Sequence, residues 1–229
     1  KWLEEMAKSS ALLIGQRVTS VPNTINANVF RPTDRRQARL QYNLPLEKKL
    51  LLFGSVKATD KRKGLDYLIE ACKILHDKEP ELSEQLGLIL VGKQAEQMRD
   101  SFPFPVYAID YVDHERRMAQ LYNAADAYVT PSLEDNLPNT IVEALSCGIP
   151  CVGFRIGGIP EMIDHLHNGY VAQRKSSEDL ANGIHWVLTE PEYAELSAQA
   201  CRKVLGNYSE SIIAKKYTDV YNKITGKYA

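Results

Sequence analysis

From residue 49 onward, short apolar runs alternate with stretches whose apolar residues recur at helical spacing. The runs at 50–53, 88–91, 105–109, 127–130, 150–154 and 170–172 read as strands, and the first two end on Gly54 and Gly92. Leu65, Leu68, Ile69, Cys72 and Leu75 mark a helix over 65–76. Met118, Leu121 and Tyr122 mark another over 114–124. Further helices are predicted over 140–147, 176–189, 192–205 and 209–223, the third-last opening on Ser176 with acidic residues behind it. Strands that are apolar throughout and separated by helices predict an α/β fold: a doubly wound parallel sheet, Rossmann-like, covered on both faces. Such sheets bind ligands at the carboxyl ends of their strands. The loops after residues 54, 92, 109, 130 and 154 are therefore where chemistry is expected.

Residues 1–48 follow another pattern. A helix-like stretch over 2–13 leads into Pro22-Asn23-Thr24-Ile25-Asn26 and then an Arg-, Asp- and Pro-rich run to Pro45. We divide the chain into a connector with a helix remnant (1–48), a ligand-binding domain (49–190) and C-terminal helices (191–229). Lys1 in place of Met predicts a fragment of a longer protein. The 229 residues are 44% hydrophobic and 25% charged, which supports a buried core, and a net charge of −1 gives no general electrostatic case for nucleic acid. No apolar run approaches the roughly 20 residues of a spanning helix. The four cysteines form no CxxC pair and the five histidines show no metal-binding spacing, so no metal site is expected.

The densest chemistry lies between residues 131 and 150, Pro-Ser-Leu-Glu-Asp-Asn-Leu-Pro-Asn-Thr-Ile-Val-Glu-Ala-Leu-Ser-Cys-Gly-Ile-Pro. An acidic, Pro-containing turn follows a strand and opens a helix, with Asp135 and Glu143 bracketing the helix start. Free N–H groups at a helix start suit an anion, and carboxylates suit hydroxyls. Pro138 has no N–H, so the amides of Asn139, Thr140 and Ile141 are the expected phosphate donors, with Asn136 and Leu137 contributing backbone. Thr140-x-x-Glu143 also fits a capping box, in which Glu143 serves only the helix. Asp135 also suits a plain turn. In the first loop, Lys57, Arg62 and Lys63 gather positive charge that a diphosphate could use, or that solvent could simply bathe.

These segments resemble, in order, the C-terminal donor-binding domain of family-four retaining glycosyltransferases of GT-B architecture. Residues 22–26 with Phe30-Arg31-Pro32 resemble the family's interdomain segment, and Phe53-Gly54 with Lys63-Gly64-Leu65-Asp66 its first strand and "KG" loop. Leu90-Val91-Gly92, Tyr111-Val112, residues 121–126, the run 131–150, Gly157-Gly158-Ile159-Pro160-Glu161 and Asn168-Gly169 complete the series. The resemblance implies that Lys63 neutralises a leaving diphosphate, Asp135 holds donor-sugar hydroxyls, Glu143 holds the ribose, and Ile109 and Tyr111 flank the base.

Departures from the family pattern are Asp135 where Glu is usual, with Glu134 beside it as a substitute; Ser55 and Val56 where Arg is usual, with Lys57 and Arg62 nearby; and Asp110 where Gly is usual. The implied activity is hexosyl transfer from a nucleoside-diphosphate sugar to a glycan or lipid-linked acceptor, without a cofactor or metal, in the cytoplasm. The acceptor half would lie in an upstream domain outside these residues. Peripheral membrane association of the full-length enzyme is left open. Two other readings stand beside this one: a donor-binding or regulatory subunit that needs a partner, and a nucleotide-sugar epimerase. A dinucleotide-dependent dehydrogenase fits less well, because no GxGxxG follows a strand.

Overall fold

The computed structural model describes residues 1–226. Six strands form one sheet: β1 (Lys49–Lys57), β2 (Leu86–Lys93), β3 (Val106–Ile109), β4 (Ala127–Thr130), β5 (Cys151–Phe154) and β6 (Gly169–Ala172). Their order is β3-β2-β1-β4-β5-β6, and every neighbouring pair is parallel. The chain builds outward from β1 to β3, then returns to the far side of β1 and builds outward to β6. Loops leaving β1 and β4 thus part in opposite directions, and a crevice opens between them at the carboxyl ends.

Ten helices accompany the sheet among the described residues: α1 (Trp2–Lys8), α2 (Arg35–Gln41), α3 (Leu65–Lys78), α4 (Pro80–Glu84), α5 (Glu115–Ala124), α6 (Asn139–Ser146), α7 (Ile159–Met162), α8 (Ser177–Thr189), α9 (Tyr193–Asn207) and α10 (Glu210–Thr225). Strand alternation shows how they cover both faces. The Cys151 sulfur points to the Ile141 carbonyl on α6, whereas the next residue, Val152, meets Gly183 on α8. Helices α6 and α8 therefore lie on opposite faces. α3 packs beside α8 and α5 beside α6. Leu50, Leu51, Leu52, Leu88, Ile89 and Leu90 are fully buried, which is why these strands read as continuous apolar runs rather than alternating ones.

The structure differs from the periodic pattern in several places: β1 runs through Gly54 to Lys57 and β2 through Gly92 to Lys93, rather than ending on those glycines. Helix α1 stops at Lys8, short of residue 13. Helices α2, α4 and α7 were not predicted. The last two are single turns, too short to show a period. Helix α2 hides its meaning differently, because its most buried side chain is an arginine. Arg39 is 4% exposed. It donates to the carbonyls of Ala124, Leu46 and Lys48 at 2.8–2.9 Å and pairs with Asp126 at 2.7 Å. Asp126 also pairs with Arg35 at 2.6 Å and accepts the Leu50 N–H at 2.6 Å. This network clamps α2 onto the amino-terminal ends of β1 and β4, the end opposite the crevice. Further along the chain, the Ile25 N–H bonds the Tyr208 carbonyl at 3.1 Å, tying residue 25 to the α9–α10 junction.

Candidate functional site

Two tight backbone approaches build the crevice. After β1, the loop carries a single 3-10 turn at Lys61–Lys63 whose capping residue, Asp60, accepts the Arg62 N–H. The chain then turns at Gly64, whose φ of 71° lies in the left-handed region. A side chain at Gly64 would overlap the Pro131 carbonyl oxygen, so only glycine lets the β1 loop lie against the β4 loop. The Leu133 N–H donates to the Arg62 carbonyl at 2.8 Å and fixes the seam. Gly157 and Gly158 support the other side, because a Cβ on either would overlap the carbonyls of Asp135 or Asn136. The Gly158 N–H donates to the Asn136 carbonyl at 2.6 Å.

That seam brings Lys63 to Asp135, residues from loops that are 72 positions apart. The Lys63 ammonium donates to Asp135 Oδ2 at 2.8 Å, and the Asn136 N–H donates to Oδ1 at 3.0 Å. The pair is part-buried, with side chains 34% and 16% exposed. Arg62 turns away to Asp60 at 2.9 Å, and Glu134 is exposed, close enough to add to the electrostatic pull on Arg62. Lys57 is exposed at the end of β1 and makes no ion pair among the described residues. Leu137 is half-buried against the core.

Helix α6 opens at Pro138 without a side-chain cap. The capping-box alternative for Glu143 is therefore not what forms. The Ile141 N–H is bonded to the Pro138 carbonyl at 3.1 Å and Ile141 is fully buried, which removes it from the expected donors. Among the described residues the N–H groups of Asn139 and Thr140 have no partner, so the exposed positive end of α6 is carried by these two amides.

Glu143 instead points to α5. Its Oε2 accepts the Tyr122 hydroxyl at 2.9 Å. Burial raises this carboxyl above the ordinary Glu range, the Tyr122 bond opposes the rise, and the charge of Glu115 adds to it. Glu143 lines a cavity of about 290 Å³ together with Gly54, Val56, Tyr111, Met118 and Thr140. It also lines a smaller one of about 110 Å³ with Asn23, Asn26, Asn139 and Glu115. Tyr111 is 44% exposed, and the Lys93 ammonium lies 5.9 Å from its ring centroid. Ile109 is half-buried in register with Val91 and does not line the cavity.

The expected residues thus fall into two groups. Gly54, Tyr111, Thr140 and Glu143 share the cavity, whereas Lys63 and Asp135 meet at the seam between the β1 and β4 loops and line neither cavity. The first turn of α6 lies between them in sequence. Lys57, Arg62, Ile109, Glu134, Asn136 and Leu137 line neither cavity. Pattern reading missed Tyr122, which looks like one more apolar helix position, and Glu115 and His114, which look like helix-start residues.

The fold is a Rossmann-like α/β domain with a crevice at the carboxyl ends of its parallel strands. The model of the family "Glycosyl transferases group 1" matches residues 34–204, so this chain belongs to that family. It is 26% identical over 220 residues to a D-inositol 3-phosphate glycosyltransferase of Nocardiopsis dassonvillei, a match covering 91% of this chain and 51% of that protein. The chain spans about half the length of the curated relatives it matches. Among solved structures, sucrose-phosphate synthase of Thermosynechococcus elongatus superposes with a TM-score of 0.81 at 23% identity, covering 98% of this chain and 57% of that one. Anabaena HepE, solved in complex with UDP-glucose, gives 0.75 at 21% identity and covers 93% and 60%. These likenesses establish the GT-B type of fold.

Proposed function

We propose that this chain is the donor-binding part of a retaining glycosyltransferase, which moves a hexosyl group from a nucleoside diphosphate to a hydroxyl on a glycan or lipid-linked acceptor. One observation carries the reading: Gly64 lets the β1 loop lie on the β4 loop, so Lys63 meets Asp135 in the segment that leads into α6, whose first two amides are unpartnered and whose Thr140 lines the cavity. In this reading the base lies in the cavity against Tyr111 and Gly54, the ribose hydroxyls meet Glu143, and the diphosphate lies on the Asn139 and Thr140 amides. Lys63 exchanges Asp135 for the diphosphate, and its charge is worth most as negative charge builds on the departing oxygen. Asp135, released, accepts hydrogen bonds from the sugar hydroxyls and orients the anomeric carbon. Lys63 and the α6 amides carry the neutralisation, so donor binding should withstand a chelator. The relative solved with UDP-glucose supports the choice of a nucleotide sugar. Acceptor contacts come from outside these residues.

Calorimetry with UDP-glucose and GDP-mannose tests the reading. One of them is expected to bind in the micromolar range, and Lys63→Ala and Glu143→Ala are each expected to weaken it at least about tenfold, as loss of a charged hydrogen bond does. Failure of both ligands, or unchanged binding by both variants, would overturn it.

A further inference from the structure

The Glu143 carboxylate has two oxygens, and the structure commits only one of them. Oε2 accepts the Tyr122 hydroxyl at 2.9 Å, while the side chain lines both cavities. Tyr122 is fully buried. Its ring meets Tyr128 edge-on at 5.5 Å and Phe30 at 6.3 Å, so it has no freedom to swing away. Burial, with the Glu143 charge adding to it, holds its hydroxyl far above the ordinary tyrosine range, so it is always protonated and can only donate toward this carboxylate. A half-buried carboxylate at the mouth of a cavity would otherwise rotate between its staggered positions or take up a proton.

From this geometry we propose that Tyr122 is the positioning residue of the nucleotide site: its hydroxyl fixes Glu143 Oε2 so that Oε1 is presented to the ribose hydroxyls as an ionised acceptor. The inference rests on the donor-binding reading above. Tyr122 also lines the larger cavity, but its hydroxyl is committed to Glu143. The titratable groups around Glu143 are Tyr122 and Glu115 from α5, Tyr111, Asp113 and His114 from the segment before α5 that lines the same cavity, Tyr128 from β4, and Cys147 at the end of α6. Among the described residues no basic side chain forms an ion pair with Glu143. The Tyr122 hydroxyl is therefore the group that favours the charged form against burial and the Glu115 charge.

Tyr122→Phe removes one oxygen and keeps both ring contacts, and its melting temperature reports whether the fold survives. With whichever of UDP or GDP the unaltered chain binds, Tyr122→Phe is expected to weaken binding about tenfold. Its binding should also fail at a higher pH than in the unaltered chain, because Glu143 now protonates more readily. With the 2′,3′-dideoxy counterpart, the two proteins are expected to bind alike, since the hydroxyls that Glu143 would hold are gone. A carbon-13 titration of the Glu143 side chain, which needs no ligand, should show its pKa rise in Tyr122→Phe. An equal loss with both ligands, or an unmoved Glu143 titration, would overturn the positioning role and leave Tyr122 a core residue. If the unaltered chain bound the dideoxy ligand as well as the ribose form, the ribose role of Glu143 would fall, and the positioning role with it. Absence of binding to either nucleotide would overturn the donor-binding reading itself, a result distinct from the other two.

Discussion

Glu143 shows how a binding residue can work against the fold that carries it. Its carboxyl is raised by burial and by Glu115, with only the Tyr122 bond opposing. A carboxyl whose folded pKa is raised lends its full stability below its unfolded value, about 4.3, and loses it as pH rises through the folded value. At neutral pH the ionised side chain therefore costs stability, and Glu143→Gln, which keeps an acceptor for Tyr122, should remove that cost. Calorimetric melting is expected to show a higher transition for Glu143→Gln at pH 7.5, with the gain shrinking toward pH 4. An equal transition at both pH values would contradict the assignment. Function should move the other way, with weaker nucleotide binding, as is usual where a site is held in a strained electrostatic state.

Lys63 differs in kind. It is partly exposed and already paired with Asp135, so its removal should barely move stability. In a full-length enzyme, Lys63→Ala should lower kcat by roughly 10²–10³-fold, the usual size for loss of a group that meets developing charge. Steady-state kinetics would show this, and a change confined to KM would argue that Lys63 only binds the ground state.

At the scale of elements, the crevice depends on glycine where loops touch. Gly64→Ala forces a side chain into the left-handed region and onto the Pro131 carbonyl. We expect a loss of roughly 2–4 kcal/mol, read by urea unfolding, together with loss of nucleotide binding as the two loops separate. A stable Gly64→Ala protein with intact binding would show that the seam is not needed. At the opposite end of the sheet, Asp126→Ala leaves Arg39 buried without its carboxylate and should cost about 3–5 kcal/mol while leaving the site's chemistry intact.

These elements also show what the sequence makes legible. Both-face burial makes the strands apolar throughout, so the sheet and its parallel sense are visible in the pattern. Lys63, Asp135 and Thr140 stand out because polar side chains cluster beyond the carboxyl ends of those strands. What remains hidden depends on contacts between distant segments. Nothing in the letters around Gly64 says that its backbone meets Pro131, or that Tyr122 turns its hydroxyl to Glu143 rather than adding only apolar surface. Helix α2 escaped because its buried anchor is an arginine satisfied by carbonyls, which no hydrophobic period records. Of the two readings of Glu143 left open by Thr140-x-x-Glu143, the capping box does not form, since the helix opens at Pro138 and Glu143 has a partner on another helix.

Viewed whole, the molecule separates stability from chemistry along the strand axis. The amino-terminal ends of β1 and β4 are clamped by Asp126, Arg35 and Arg39, while the carboxyl ends hold the cavity, the ion pair and the open helix start. No described helix is long and apolar enough to cross a membrane. The chain spans about half the length of the relatives it matches, and in the proposed reading the acceptor contacts come from outside these residues. The chain alone is expected to bind donor and to transfer little, which a transfer assay with and without the full-length protein would check. The most direct measurement is a crystal structure of the chain with bound UDP-glucose or GDP-mannose. The account predicts the diphosphate within about 3 Å of the Thr140 amide and the Lys63 ammonium, with the ribose on Glu143. A nucleotide bound elsewhere, with Lys63 still paired to Asp135 and the α6 amides bare, would contradict it.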